Sequence, residues 1–243
     1  MTLARQTKTS RRKGAVTPAS LDCATTFQKI ALDCVAGMKA YQSGASAGDV
    51  EAVHQLRVAI TRLRAVVSFF APMTTDAEWR RLKKEIAWLH AALGAARDSD
   101  VMMAYATRKR HRDWAQRVIR RNLGVVQRRN HRRLARCLGS ARFRDLIETM
   151  TGWIGRGPWL RRWQRNGRGK RARPLKAYSA RELNRWHLRL IRKGRDLGTL
   201  DALRRHRLRI RAKRFRYMRT SIHCGDATVS VTCINLQNAC SGC

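Results

Sequence analysis

Acidic side chains are what this sequence has least of relative to its size: 16 Asp and Glu stand against 53 Lys and Arg, a net charge of +37. Pairing every acid with a base still leaves most cations without a partner. Such an excess repels itself in the folded chain and favours a polyanion, whether nucleic acid, an anionic membrane surface or inorganic polyphosphate. Long apolar runs are also missing. None is long enough to span a membrane, and no secretory segment marks the N-terminus. Convincing strand alternation is absent before residue 220. Paired-carboxylate and metalloprotease motifs are absent as well, so an enzyme is the weaker class, and no catalytic residue, metal site or cofactor is expected.

Hydrophobic residues make up 44% of the chain, enough for a real core. Their spacing reads as helix almost throughout. Residues 21–42 form a first amphipathic segment, closed by the small-residue stretch 43–48, which reads as a loop. Gly44–Gly48 has the spacing of a hydrolase nucleophile elbow but no strand before it. Asp49 caps a helix that runs to about Ala71 and stops at Pro72. Thr75 with Glu78 is a capping box for the next helix. Asp98, Ser99 or Asp100 caps another, and an Arg-rich helix follows over about 114–138, with Val118, Leu123, Val126 and Leu134 as its apolar side. Ser140 opens a short helix to Ile154.

Composition changes at 155–176, where Gly and Pro break the pattern and nine basic residues occur with no acid. This reads as a solvated linker; its Gly167–Lys170 lacks the spacing of a phosphate-cradling loop. Helical pattern resumes near Leu175 and restarts near Thr199. The organisation expected is a basic flexible arm at 1–20, a first helical bundle at 21–154, the linker, the start of a second bundle at 177–219, and an atypical Cys-rich tail at 220–243. The arm has the composition of a transit peptide too. Cys23, Cys34 and Cys137 sit among helical residues and read as small core apolars of a reducing, cytoplasmic compartment.

One pattern is written twice. Residues 54–64 and 206–216 both begin with His, place Arg at +3, +8 and +10, and carry apolar residues at +2, +4 and +9. At about 100° per residue, offsets 0, +3, +7 and +10 fall within a stripe of roughly 80°. The stripes are His54, Arg57, Thr61 and Arg64 in one copy, and His206, Arg209, Lys213 and Arg216 in the other. Arg62 and Arg214 flank them. The core face is offset, at Leu56, Ile60, Leu63 and Val67, and at Leu208, Ala212 and Phe215. A solvated face asks only for polarity, whereas arginine repeated at matching offsets suits bidentate contacts to phosphate oxygens. Each His heads its stripe and reads as an oxygen-contacting donor rather than a metal ligand. Asp98 and Asp100, beside Arg97, read as a cap that orients nearby arginines.

These residues also carry a resemblance. Val53–Arg64, then Ala91–Val101 with its Leu-Gly-Ala-Ala-Arg-Asp-Ser-Asp core, then His206–Tyr217 together resemble the CHAD domain, the conserved-histidine α-helical domain, over roughly residues 23–219. The resemblance implies an all-α fold of two pseudo-symmetric antiparallel helical bundles around a basic central cavity. It further implies a non-enzymatic module that binds inorganic polyphosphate and can associate with polyphosphate granules. Its basic cavity residues would be His54, Arg57, Arg62, Arg64, His206, Arg209, Lys213, Arg214 and Arg216. RNA or DNA binding is the alternative, and a polyphosphate-processing enzyme the weaker one.

The tail departs from this. No Lys or Arg occurs after Arg219, while four Cys and a β-leaning run at 228–232 appear. Three readings compete: a zinc site weakly suggested by Cys240–Cys243, a genuine appendage, or a frameshifted or truncated end that leaves the second bundle incomplete.

Overall fold

The structure, a computed structural model, describes residues 22–108, 114–160 and 174–223, and among these it is all-α with no strand. The basic arm, most of the linker, and the tail with its cysteines and β-leaning run lie outside the described residues. Among the described residues no helix is long and apolar enough to cross a membrane.

Helix α1 (Cys23–Ala40) starts where Asp22 accepts the backbone N–H of Thr25 at 2.7 Å. Its Phe27, Ile30, Ala31, Cys34, Val35 and Met38 recur at helical spacing and are buried. Helix α3 (Val50–Phe69) is capped by Asp49, which accepts from Glu51 and Ala52 N–H. The stretch between them is not a loop but a short helix, α2 (Gln42–Ala47). Small residues let it lie close on α3: a side-chain carbon at Gly44 would come within 2.9 Å of Ala52 Cβ. Gly48 ends it at φ 90°, which favours glycine.

Pro72 does not end α3. The chain turns at Phe70, and Pro72 sits in the first turn of α4 (Ala71–Thr74), where its missing N–H costs nothing. Helix α5 (Ala77–Arg108) is capped by Asp76 rather than Thr75. Asp76 Oδ1 takes Trp79 N–H at 2.7 Å, and the buried carboxylate also accepts Trp153 Nε1–H.

Residues 98–100 do not start a new helix, because α5 runs through them unbroken. Ser99 donates back to Ala96 O at 2.7 Å, and Asp100 is buried against α6 (Trp114–Leu138). There Asp100 Oδ1 accepts from His131 Nε2 at 2.7 Å and Gln127 Nε2 at 2.9 Å. Asp100, read as part of a cap, instead rivets two antiparallel helices together, while Asp98 stays exposed and faces Arg57 of α3. Only part of the expected apolar side of α6 is covered: Leu134 is fully buried, while Val118 and Val126 are exposed.

Ser140 caps α7 (Ala141–Arg156) by accepting Phe143 N–H. This helix runs two residues past Ile154. Gln28 of α1 donates to the free carbonyls of Ile154 and Gly155, at 3.1 Å each. Trp159, just beyond, is 2% exposed and donates to Trp153 O. Helix α8 (Leu175–Gly194) follows, then a 3₁₀ turn at Leu197–Thr199, then α9 (Ala202–His223).

The core lies among α1, α3, α5 and α7. At one end Phe27, Phe69, Phe70, Trp153 and Trp159 pack mainly edge-to-face, with ring centres 5.0–6.4 Å apart. Tyr178 of α8 stacks on Phe70 and donates to Phe69 O at 2.7 Å. Burial of that hydroxyl pushes its pKa up, so it stays a donor. This aromatic cluster fixes α8, and α8 carries α9 onto the outer side of α3. Cys23 and Cys34 are buried thiols as expected, and burial pushes Cys34 up to about 12. Cys137 is half-buried against the same core.

Candidate functional site

Helices α3, α5 and α9 enclose a groove of about 730 Å³. From α3 come His54, Arg57, Thr61 and Arg64, the first copy of the stripe, all half-buried. From α9 come His206, Arg209, Lys213 and Arg214. The two copies therefore face each other across one space. Two expected residues lie outside its lining. Arg62 turns toward α1, where its charge lowers the Cys34 pKa against the stronger effect of burial. Arg216 is exposed, its guanidinium 5.8 Å from the Tyr217 ring centre.

The third wall is α5, which the repeat did not reveal. His90, Arg97, Val101 and Met102 line the groove together with Asp98. Offsets of +7 and +11 from His90 bring Arg97 and Val101 to within about 20° of it around the helix, with Met102 at the edge of the wall. That spacing was available in the sequence, but the assumed break at residues 98–100 hid it.

Arg57 reaches from α3 to α5. Its Nη1 is buried without a hydrogen-bond acceptor, 3.8 Å from Asp98 Oδ1, beyond hydrogen-bond reach. That nitrogen lies against Gly94 of α5, where an added Cβ would be in ordinary contact with it at 3.6 Å. Thr61, the one non-basic member of its stripe, spends its hydroxyl proton on Arg57 O at 2.8 Å. Asp98 is mostly exposed at the rim and is the one acid in the lining.

Electrostatics follow from this crowding. His54 is held below the ordinary histidine value by burial first, then by Arg97, Lys213 and Arg57, with Glu51 opposing. His90 is lowered by burial and by Arg57 and Arg64, with Asp98 opposing. Lys213 is lowered by burial, Arg209, Arg216 and Arg57, and Arg214 by burial, Arg64 and Arg211. Each perturbed group is a cation, or a base able to become one, penalised for its neighbours' charge. The groove thus concentrates positive charge, with Asp98 as the one acid in its lining. Among the described residues no three His, Cys, Asp or Glu side chains come together as metal ligands.

The fold is similar to the crystal structure of the CHAD domain from the plant Ricinus communis, with a TM-score of 0.72 and 24% identity, over 88% of this chain and 70% of that one. No curated protein matches this chain. The family model for the CHAD domain matches residues 29–222, a span that takes in both copies of the repeat and all three walls of the groove. The chain belongs to the CHAD domain family.

Proposed function

We propose that the groove between α3, α5 and α9 holds inorganic polyphosphate by charge-assisted hydrogen bonds, without turnover. The observation that carries this is convergence. Six Lys and Arg side chains and three His from three helices line one space with a single acid, Asp98. Without a ligand, bringing those charges together is opposed by their mutual repulsion. A flexible chain of phosphates supplies oxygens at every turn and asks for no base recognition. Family membership supports the same ligand, since CHAD domains relate to polyphosphate binding in general. Attachment to polyphosphate granules in the cytoplasm is the cellular expression of this reading.

Nucleic acid shares the phosphates but adds bases, and proteins that bind single strands offer them stacking aromatics. Tyr217, which is 8% exposed, is the one Phe, Tyr or Trp in this lining among the described residues. The deciding experiment is competition at physiological salt between polyphosphate and RNA of equal charge. Polyphosphate is expected to displace RNA; RNA prevailing would overturn the proposal. Both affinities fall with salt through counterion release, so the comparison is made at one ionic strength.

A further inference from the structure

The cations of α9 do not stop at the groove shared with α3. A second groove of about 590 Å³ lies between α8, α9 and the junction of α3 with α4. Its basic lining is Arg185, Arg189, Arg192, Lys193, Arg211 and Arg214. A third, of about 340 Å³, lies further along α9 and adds Arg204 and Arg207. These spaces share walls. Arg214 lines both the central and the second groove, and Lys193 and Arg211 line both the second and the third.

The positions on α9 explain the continuity. Arg209, Lys213 and Tyr217 occupy the side facing the central groove. At about 100° per residue, Arg214 lies next around the helix and Arg207 and Arg211 beyond it. Arg214 feels the charge of Arg64 on one side and of Arg211 on the other. No acid lines either outer groove. Of the three carboxylates between Leu175 and His223, Glu182 is engaged by Arg185 and Trp186 Nε1–H and Asp201 by Arg204 at 3.3 Å, while Asp196 lies in the α8–α9 connection outside the lining of both grooves. Arg189, Arg192, Lys193, Arg207 and Arg211 have no carboxylate partner among the described residues.

We propose that the central groove is one end of a longer phosphate path that passes Arg214 and winds around α9 into the two outer grooves, so that a long polyphosphate occupies all three while a short one fills only the first. This rests on the polyphosphate reading of the central groove. It assigns Arg189, Arg192, Lys193, Arg207 and Arg211 to ligand binding and makes chain length the property the protein discriminates. Linking the grooves through one ligand turns each later contact into an intramolecular one, which raises affinity without strengthening any single contact.

The test compares long-chain polyphosphate with the shortest polyphosphate whose binding is measurable, on the full chain. The outer-groove variant is the double substitution Arg189→Ala/Arg192→Ala, both exposed positions on α8. Circular dichroism and melting confirm that it folds. Loss of two exposed charge contacts is expected to weaken long-chain binding about tenfold and leave the short ligand unchanged. Arg57→Ala is expected to weaken both. Long-chain affinity that survives the double substitution would overturn the extended path and leave the central groove standing. An equal loss for short and long ligands would overturn it too, as the signature of diffuse attraction. If Arg57→Ala alters neither ligand, the central reading fails and the path fails with it.

Discussion

Helices α3 and α9 carry the same eleven-residue pattern and use it differently. In α3 the apolar side, Leu56, Ile60, Leu63 and Val67, is no more than 1% exposed, walled in by α1 and α5. In α9 the corresponding Leu208 and Phe215 are half-buried and Ala212 is exposed, with α8 as the backing. Leu208 lies against Gly194, and the Phe215 ring sits 5.9 Å from His187. The cationic sides differ as well. Both helices give the groove their residues at 0, +3, +4 and +7, but α3 adds +10 (Arg64) and α9 adds +8 and +11 (Arg214 and Tyr217). On a helix of about 100° per residue, that is a relative rotation of roughly 30°. A repeat in sequence therefore sets which residues are available, while the neighbours of each copy decide which of them face the ligand.

The difference in backing gives the largest expected effect. Leu63→Ala empties a closed site and should cost about 2–5 kcal/mol of unfolding free energy, whereas Leu208→Ala should cost less than about 1 kcal/mol. Urea unfolding of the two variants measures this, and similar losses would mean that α9 is as well supported as α3. Next comes the +8 pair. Arg214→Ala should weaken polyphosphate binding about tenfold, as loss of a charge-assisted contact implies, and Arg62→Ala should change it less than about twofold. Equal effects in a titration would restore the strict symmetry that the two sequences suggest.

A third test separates the helices by burial at +3. Arg57 is held against α5 with an unsatisfied nitrogen, whereas Arg209 is exposed. Arg57→Ala should therefore weaken binding by about ten- to thirtyfold and Arg209→Ala by only a few fold. The smallest effect is that of pH. His54 and His90 have lowered values in the folded chain, so the unfolded chain binds more protons once the pH falls toward the ordinary value of about 6.5. Stability without ligand should accordingly fall as the pH drops through that value toward the lowered ones. Phosphate oxygens beside the rings favour the charged form, so polyphosphate should bind a few fold more tightly in the same window and take up protons. Calorimetry in buffers of different ionisation enthalpy detects that uptake; release of protons would contradict the placement of the histidines.

Much of the fold could be read from local pattern. The caps Asp49 and Ser140 are short-range devices, and the apolar spacing of α1 and α3 sorts buried from exposed without further information. The misreadings share one cause. Asp98, Ser99 and Asp100 look like a helix start because their own side chains can cap one, yet Asp100 finds partners 27 and 31 residues away on α6. Asp76 displaces Thr75 as a cap while also accepting from Trp153, 77 residues on. Gly44–Ala47 looks like a loop until α3 is seen to need a thin neighbour. In the groove, the repeat identified two walls; the third, with His90 and Arg97, carries no copy of it.

By itself the sequence determined that the chain is helical, that it carries far more positive charge than it can pair, and that two helices present cations at matching offsets. Those properties are set by residue type and by spacing within a single helix. Only the tertiary structure decided that Arg64 and Arg214 meet in one groove while Arg62 and Arg216 do not, and that α5 closes it. The physical reason is that a side chain's exposure depends on what packs beside its helix. That packing is fixed by contacts such as Tyr178 on Phe69 and Phe70, more than a hundred residues apart in the chain.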